Sequence, residues 1–272
     1  MSDFQNLARR ILEEKVVDII VGFTAAKGGK VKPIFLSDPA KVDKLVFNEY
    51  CVNNLAVYLH KEELHHYKKA GIFAGVPTLR AFLQLASENQ LTDGKVTAII
   101  PQTDGTAILI DTFAEMESYV QKNYQKGAKE LESVDKLLQM PLEVRWDYWV
   151  SALSDCVKCY ACRSACPLCY CDRCTVECNQ PQWVPIASHG QGNMEWHILR
   201  AMHLAGRCIG CNECARACPA NLPVNLLTAR ITDELDNMFG QIPGMSAKQN
   251  FALSTFKVED KEEFIKIGRA HV

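Results

Sequence analysis

Twelve of the 13 cysteines in this 272-residue chain fall between Cys156 and Cys218. Thiols at that density either cross-link a small secreted domain or bind metal. The first option fits poorly. The cysteine count is odd, and the N-terminus MSDFQNLARRILEEK lacks the apolar core of an export signal. No apolar run approaches the ~18–20 residues of a membrane span. The expectation is therefore metal ligation in a reducing cytoplasm, with no membrane span. Net charge is −2, from 30 Lys+Arg against 32 Asp+Glu. That balance argues against nucleic acid as a partner and against a zinc-stabilised nucleic-acid-binding module.

The cysteines are arranged in two runs of one spacing. Cys156-x2-Cys159-x2-Cys162-x3-Cys166-Pro167 is followed by Cys208-x2-Cys211-x2-Cys214-x3-Cys218-Pro219. This is the bacterial ferredoxin spacing for a 4Fe–4S cluster, present twice. Three closely spaced thiolates wrap one corner of a cubane, and the fourth comes from elsewhere. In two-cluster ferredoxins the fourth cysteine of each run serves the other cluster. That resemblance implies Cys156, Cys159, Cys162 and Cys218 for one 4Fe–4S cluster, and Cys208, Cys211, Cys214 and Cys166 for a second. Zinc is the competing ligand chemistry, but two C-x2-C pairs would satisfy it and leave the remaining cysteines and both prolines without a role. Between the runs lies Cys169-x-Cys171-x2-Cys174-x3-Cys178. These four could hold a third 4Fe–4S cluster or a zinc ion, and any of them, or Cys51, could exchange with a ligand assigned above. Lys158, Arg163 and Arg173 could offset cluster charge or simply be solvated surface. Trp146, Trp149, Trp183 and Trp196 bracket the cysteines and are expected to shield them. His197 and His203 are expected to be satisfied packing residues, and His65 and His66 to be exposed.

Upstream, residues 1–112 read as an α/β domain with a small parallel sheet. The near-continuous aliphatic run from Val16 to Ala25 suits a strand buried on both faces. Ala70–Gly75, a helix from Val76 to Asn89 and Lys95–Gln102 have the length of a strand–helix–strand unit. Helix is also expected over Val42–Tyr50 and onward from Asn53 or Asn54. Residues 113–145 form a helical bridge broken at Gly127 and stopped at Pro141. Residues 146–240 form the cluster domain and 241–272 a charged tail, in which Phe256, Val258, Phe264, Ile265 and Ile267 suit docking on a partner or packing on the chain itself. Helical spacing of Trp196, Leu199, Met202 and Leu204 precedes the second run, and another helix begins at Pro223. There is no P-loop, G-x-S-x-G or G-x-G-x-x-G motif.

Two resemblances follow from these residues. Helices flanking widely spaced runs over roughly 145–235 resemble the α-helical ferredoxin domain of succinate dehydrogenase iron–sulfur subunits and heterodisulfide reductase C subunits. That implies a mostly α-helical ferredoxin-like iron–sulfur domain. Cys51-Val52-Asn53-Asn54-Leu55-Ala56, then Tyr58-Leu59, and the strand–Gly75–helix step with Arg80 resemble the N-terminal part of the deazaflavin-dependent hydrogenase/dehydrogenase beta-subunit family. Members commonly carry cysteine soon after that glycine, where this chain has Gly75-Val76-Pro77-Thr78. The resemblance implies an electron-transfer subunit of a hydrogenase, formate dehydrogenase or heterodisulfide reductase-like complex. Its partners would be flavin- or metal-containing redox chains. The alternative it leaves open is a self-contained oxidoreductase with FAD in the N-terminal domain, reducing a deazaflavin, nicotinamide or disulfide.

Overall fold

The computed structural model describes residues 2–178 and 180–252; the apolar tail positions Phe256 to Ile267 lie outside them. The elements run α1 (Asp3–Glu13), β1 (Ile19–Ala25), β2 (Val31–Leu36), β3 (Leu45–Val46), α2 (Glu62–His65), β4 (Ala70–Phe73), α3 (Val76–Ser87), β5 (Val96–Pro101) and β6 (Ala107–Ile110). Helices α4 (Phe113–Asn123), α5 (Ala128–Leu138), α6 (Leu142–Ser154), α7 (Ala161–Ser164), α8 (Gly190–His203), α9 (Glu213–Arg216) and α10 (Val224–Phe239) complete the order.

The sheet is mixed, not parallel throughout. Its order is β2-β1-β4-β5-β6, with β3 also on β1. Only β1, β4 and β5 run parallel, while β2, β3 and β6 pair antiparallel. The reason is connection length. Gly28 and Gly29, both with positive φ, turn β1 tightly into β2, and a five-residue turn joins β5 to β6. Connections that short cannot make a parallel crossover. The central strands β4 and β5 are buried along their whole length, in keeping with a mainly apolar sequence in which Thr97 donates to Asp111.

Two expected helices are replaced. Pro39–Lys44 and Leu55–His60 are short 3₁₀ turns, capped by Asp38 and Asn54, whose side chains accept from Ala40 N and Ala56 N. In between, Leu45 and Val46 leave the helical path to pair with Thr24 and Phe23. The bridge region is helical, with breaks at Gly127 and Pro141. Thr112 and Glu115 form a capping box at the start of α4. Thr112→Ala should cost about 1 kcal/mol, read as a lower denaturation midpoint at unchanged slope.

Two apolar cores follow. The larger joins the sheet and α3, through Phe82, Leu79 and Ile99, to Leu168, Leu204 and Ile209 of the cysteine-rich half. The smaller gathers Leu153, Cys162, Val176, Val184, Met194, Trp196, Leu222 and Val224. Polar contacts bind the halves as well. The Arg80 guanidinium, 6% exposed, donates from Nη1 to Ile209 O at 2.7 Å and from Nε and Nη2 to Pro243 O at 3.1 and 2.5 Å. It also lies over the Tyr124 ring at 4.4 Å. Arg207 makes a bidentate pair with Glu88, which also accepts from Tyr170. No described helix is long and apolar enough to cross a membrane.

Candidate metal centre

The two cysteine runs fold alike. Each turns through left-handed backbone at its third and fifth positions: Lys158 and Tyr160 in the first, Gly210 and Asn212 in the second. Each then enters a one-turn helix, α7 or α9. Left-handed backbone costs glycine little but a lysine or tyrosine on the order of 1–3 kcal/mol. The first run therefore holds its loop shape against local preference. Lys158 is buried, and its ammonium donates to Pro185 O. The Cys156 carbonyl accepts from Ser188 Oγ and from Asn193 Nδ2.

One cavity is lined by Cys156, Cys159 and Cys162 of the first run together with Cys218 of the second, and by Trp196 and His197. A second is lined by Cys208, Cys211 and Cys214 together with Cys166, and by Arg80, Arg200 and Glu213. A third is lined by Cys169, Cys171 and Cys174 with Arg163, Arg200, His203 and Arg207. Cys178 is exposed and is not brought to that cavity. Cys51 is half-buried against the N-terminal core, where it takes a hydrogen bond from Asn48 N, and it joins none of the three. Among the described residues no three His, Cys, Asp or Glu side chains converge closely enough to hold a metal ion.

Burial pushes the thiols of Cys162 and Cys214 up to about 11 and that of Cys211 up to about 12. Cys166 and Cys169 share a hydrogen bond that raises Cys166 and draws Cys169 down to about 6. At neutral pH most of these buried sulfurs are thus protonated, and any metal they take up must displace protons.

The donor chemistry fits a metal–sulfur group. Four thiols face each of the first two cavities, and the polar atoms around them are incompletely satisfied. Trp196 Nε1, His197 Nε2 and Arg200 Nε are buried without a hydrogen-bond partner. Burial, then Arg200 and Lys158, press the His197 imidazole down to about 4, so it is neutral at pH 7. Its unpartnered nitrogen differs from the satisfied packing expected for it, while His203 is exposed. Of the tryptophans, Trp196 is buried and Trp149 half-buried against the smaller core, whereas Trp146 and Trp183 are 57% and 77% exposed.

The N-terminal half reaches the second run directly. Glu213, between Cys211 and Cys214, is buried and accepts from Asn54 N at 3.2 Å and Asn53 Nδ2 at 3.1 Å. Arg80 holds the carbonyl of Ile209, between Cys208 and Cys211. Sequence reasoning missed Glu213 and Arg200 as buried charges.

No protein-family model matches the chain. The F420-dependent formate dehydrogenase subunit beta of Methanocaldococcus jannaschii is 31% identical over 128 residues. The match covers 46% of this chain and 30% of that subunit, so the chain spans less than a third of the curated relative's length.

Proposed function

We propose that this chain is an iron–sulfur electron-relay subunit of a larger redox complex. The observation that carries the reading is the composition of the first two cavities, each lined by three thiols of one run and one of the other. Cys156, Cys159, Cys162 and Cys218 would hold one 4Fe–4S cluster, and Cys208, Cys211, Cys214 and Cys166 a second. A bound cluster supplies one-electron transfer at a potential set by burial, hydrogen bonds and nearby charge.

The chain's own residues supply the rest. Asn53, Asn54 and Arg80 fix the second run against the N-terminal domain, residues 1–112, which serves as the docking platform. Residues 113–145 bridge it to an α-helical ferredoxin-like domain over 146–240. Trp196 and the smaller core bury Cys162 of the first thiol set, while Cys159 is exposed. The insert, with Cys169, Cys171 and Cys174 in one cavity, holds a third cluster or zinc. The partial similarity to a formate dehydrogenase beta subunit supports a dehydrogenase, hydrogenase or heterodisulfide reductase-like complex in the cytoplasm, whose flavin- or metal-bearing chains exchange electrons with this one.

Iron, acid-labile sulfide and zinc per chain, measured on anaerobically purified protein, test the proposal. About 8 iron and 8 sulfide are expected from the two thiol sets, and about 12 of each if the insert is also filled. About 8 iron with one zinc assigns zinc to the insert. Zinc without sulfide overturns the relay. A yellow chromophore released on denaturation would instead favour the FAD-bearing oxidoreductase.

A further inference from the structure

Arg200 occupies an unusual position. It lies on α8, a turn beyond Trp196, and is 6% exposed. Nη2 donates to the carbonyl of Cys162, in the first thiol set, at 3.0 Å. The same side chain lines the cavity of the second set, beside Cys166, Cys208, Cys211 and Cys214, and the insert cavity beside Cys169, Cys171 and Cys174. Of the neighbouring cations, Lys158 is also held by a carbonyl, Pro185 O, and the arginines have fuller partners. Arg163 pairs with Glu177 and Arg207 with Glu88, and Arg80 is held by two carbonyls. Arg200 has no carboxylate among the described residues, and its Nε has no partner. A buried guanidinium left with one neutral carbonyl would cost several kcal/mol. The groups around it that become anionic when a cluster binds are the cysteine sulfurs.

We propose that Arg200 is the shared counter-charge of the two four-thiol sets, a positioning residue that raises the reduction potential of both clusters. The inference rests on the cluster reading above and adds a role that the cysteine spacing does not contain. A 4Fe–4S cluster with four thiolates carries about −2 when oxidised and about −3 after accepting one electron from a reductant such as dithionite, with no bond made or broken. A fixed positive charge at the junction favours the more negative state. The same charge acts on both sets, so both potentials should move in the same direction.

The test is an EPR-monitored dithionite titration of wild-type, Arg200→Gln and Arg200→Lys proteins, with iron and sulfide measured on each. Arg200→Gln should shift the reduced-to-oxidised ratio at a fixed potential by roughly tenfold toward oxidised, about 59 mV lower for a one-electron couple. Arg200→Lys, which keeps the charge, should stay near wild type. Arg173→Gln, at an exposed arginine of the insert, is the control and should not move. Fully loaded Arg200→Gln with unshifted potentials overturns the inference while leaving the cluster reading intact. Wild-type protein without iron and sulfide overturns both. If the glutamine variant does not retain iron, the lysine variant decides: a potential near wild type supports the charge role, and a tenfold shift in Arg200→Lys overturns it.

Discussion

Cys218→Ser should empty the thiol set that belongs mainly to the other run. The loss expected is about four iron per chain, with Cys156, Cys159 and Cys162 becoming reactive to alkylation and Cys208, Cys211 and Cys214 staying protected. Cys166→Ser should give the mirror result. The reason is geometric: Cys218 lines the cavity of the first run and Cys166 that of the second. If each run instead closed on its own fourth cysteine, the protection pattern would be reversed, and peptide mapping of alkylated protein would show it. Three thiolates leave one iron corner without a sulfur ligand, so any iron retained at that set should be labile. Unchanged iron content in both variants would remove the basis for the crosswise sets.

The second large effect is expected at Arg80. Arg80→Ala removes the hydrogen bonds to Ile209 O and Pro243 O and the contact with Tyr124, leaving two buried carbonyls unpaired. Hydrogen bonds to a charged donor contribute about 1.5–3 kcal/mol each, so a destabilisation of roughly 3–5 kcal/mol is expected. Lysine should recover only part, since an ammonium cannot span both acceptors with the guanidinium's planar fork. The same contact can be attacked from its other side. Gly244 has φ +72°, and a Cβ there would lie 2.3 Å from Arg80 O, so Gly244→Ala should resemble Arg80→Ala. Both should loosen the loop between Cys208 and Cys211, seen as faster hydrogen exchange there. Wild-type exchange and an unchanged denaturation midpoint would show that the N-terminal half does not hold the second run.

Much of the fold could be read directly from residue order. β1 announced itself as a near-continuous aliphatic run, and β4, α3 and β5 as a strand–helix–strand unit. The spacing marked the two cysteine runs, and two cavities are lined by the thiols that the ferredoxin resemblance grouped; that these sets hold clusters is the proposal. Short elements were harder. Leu45–Val46 fits a helical spacing, but its side chains are set by pairing with β1 rather than by local preference. Ala107–Ile110 is too brief to show alternation. Buried charges were the main blind spot. Arg200 was passed over because a charge within an amphipathic helix is usually solvated. The stripe that is actually buried runs Asn193, Trp196, His197, Arg200 and Leu204, whereas Leu199 and Met202, which the apolar spacing favours, are 37% and 56% exposed. The signal was present as an arginine one turn after a tryptophan on the same face, but it becomes decisive only once the Cys162 carbonyl is seen beside it.

The exchange of a cysteine between the runs has a consequence for the order of biosynthesis. On the ribosome, Cys156, Cys159 and Cys162 emerge well before the residue that completes their cavity, Cys218. The second cavity waits longer still, because α10 lines it through Asn225, Thr228 and Asp233. Neither thiol set is enclosed until the chain has been made past the second run, and the three sulfurs of the first run spend that interval in a nascent chain.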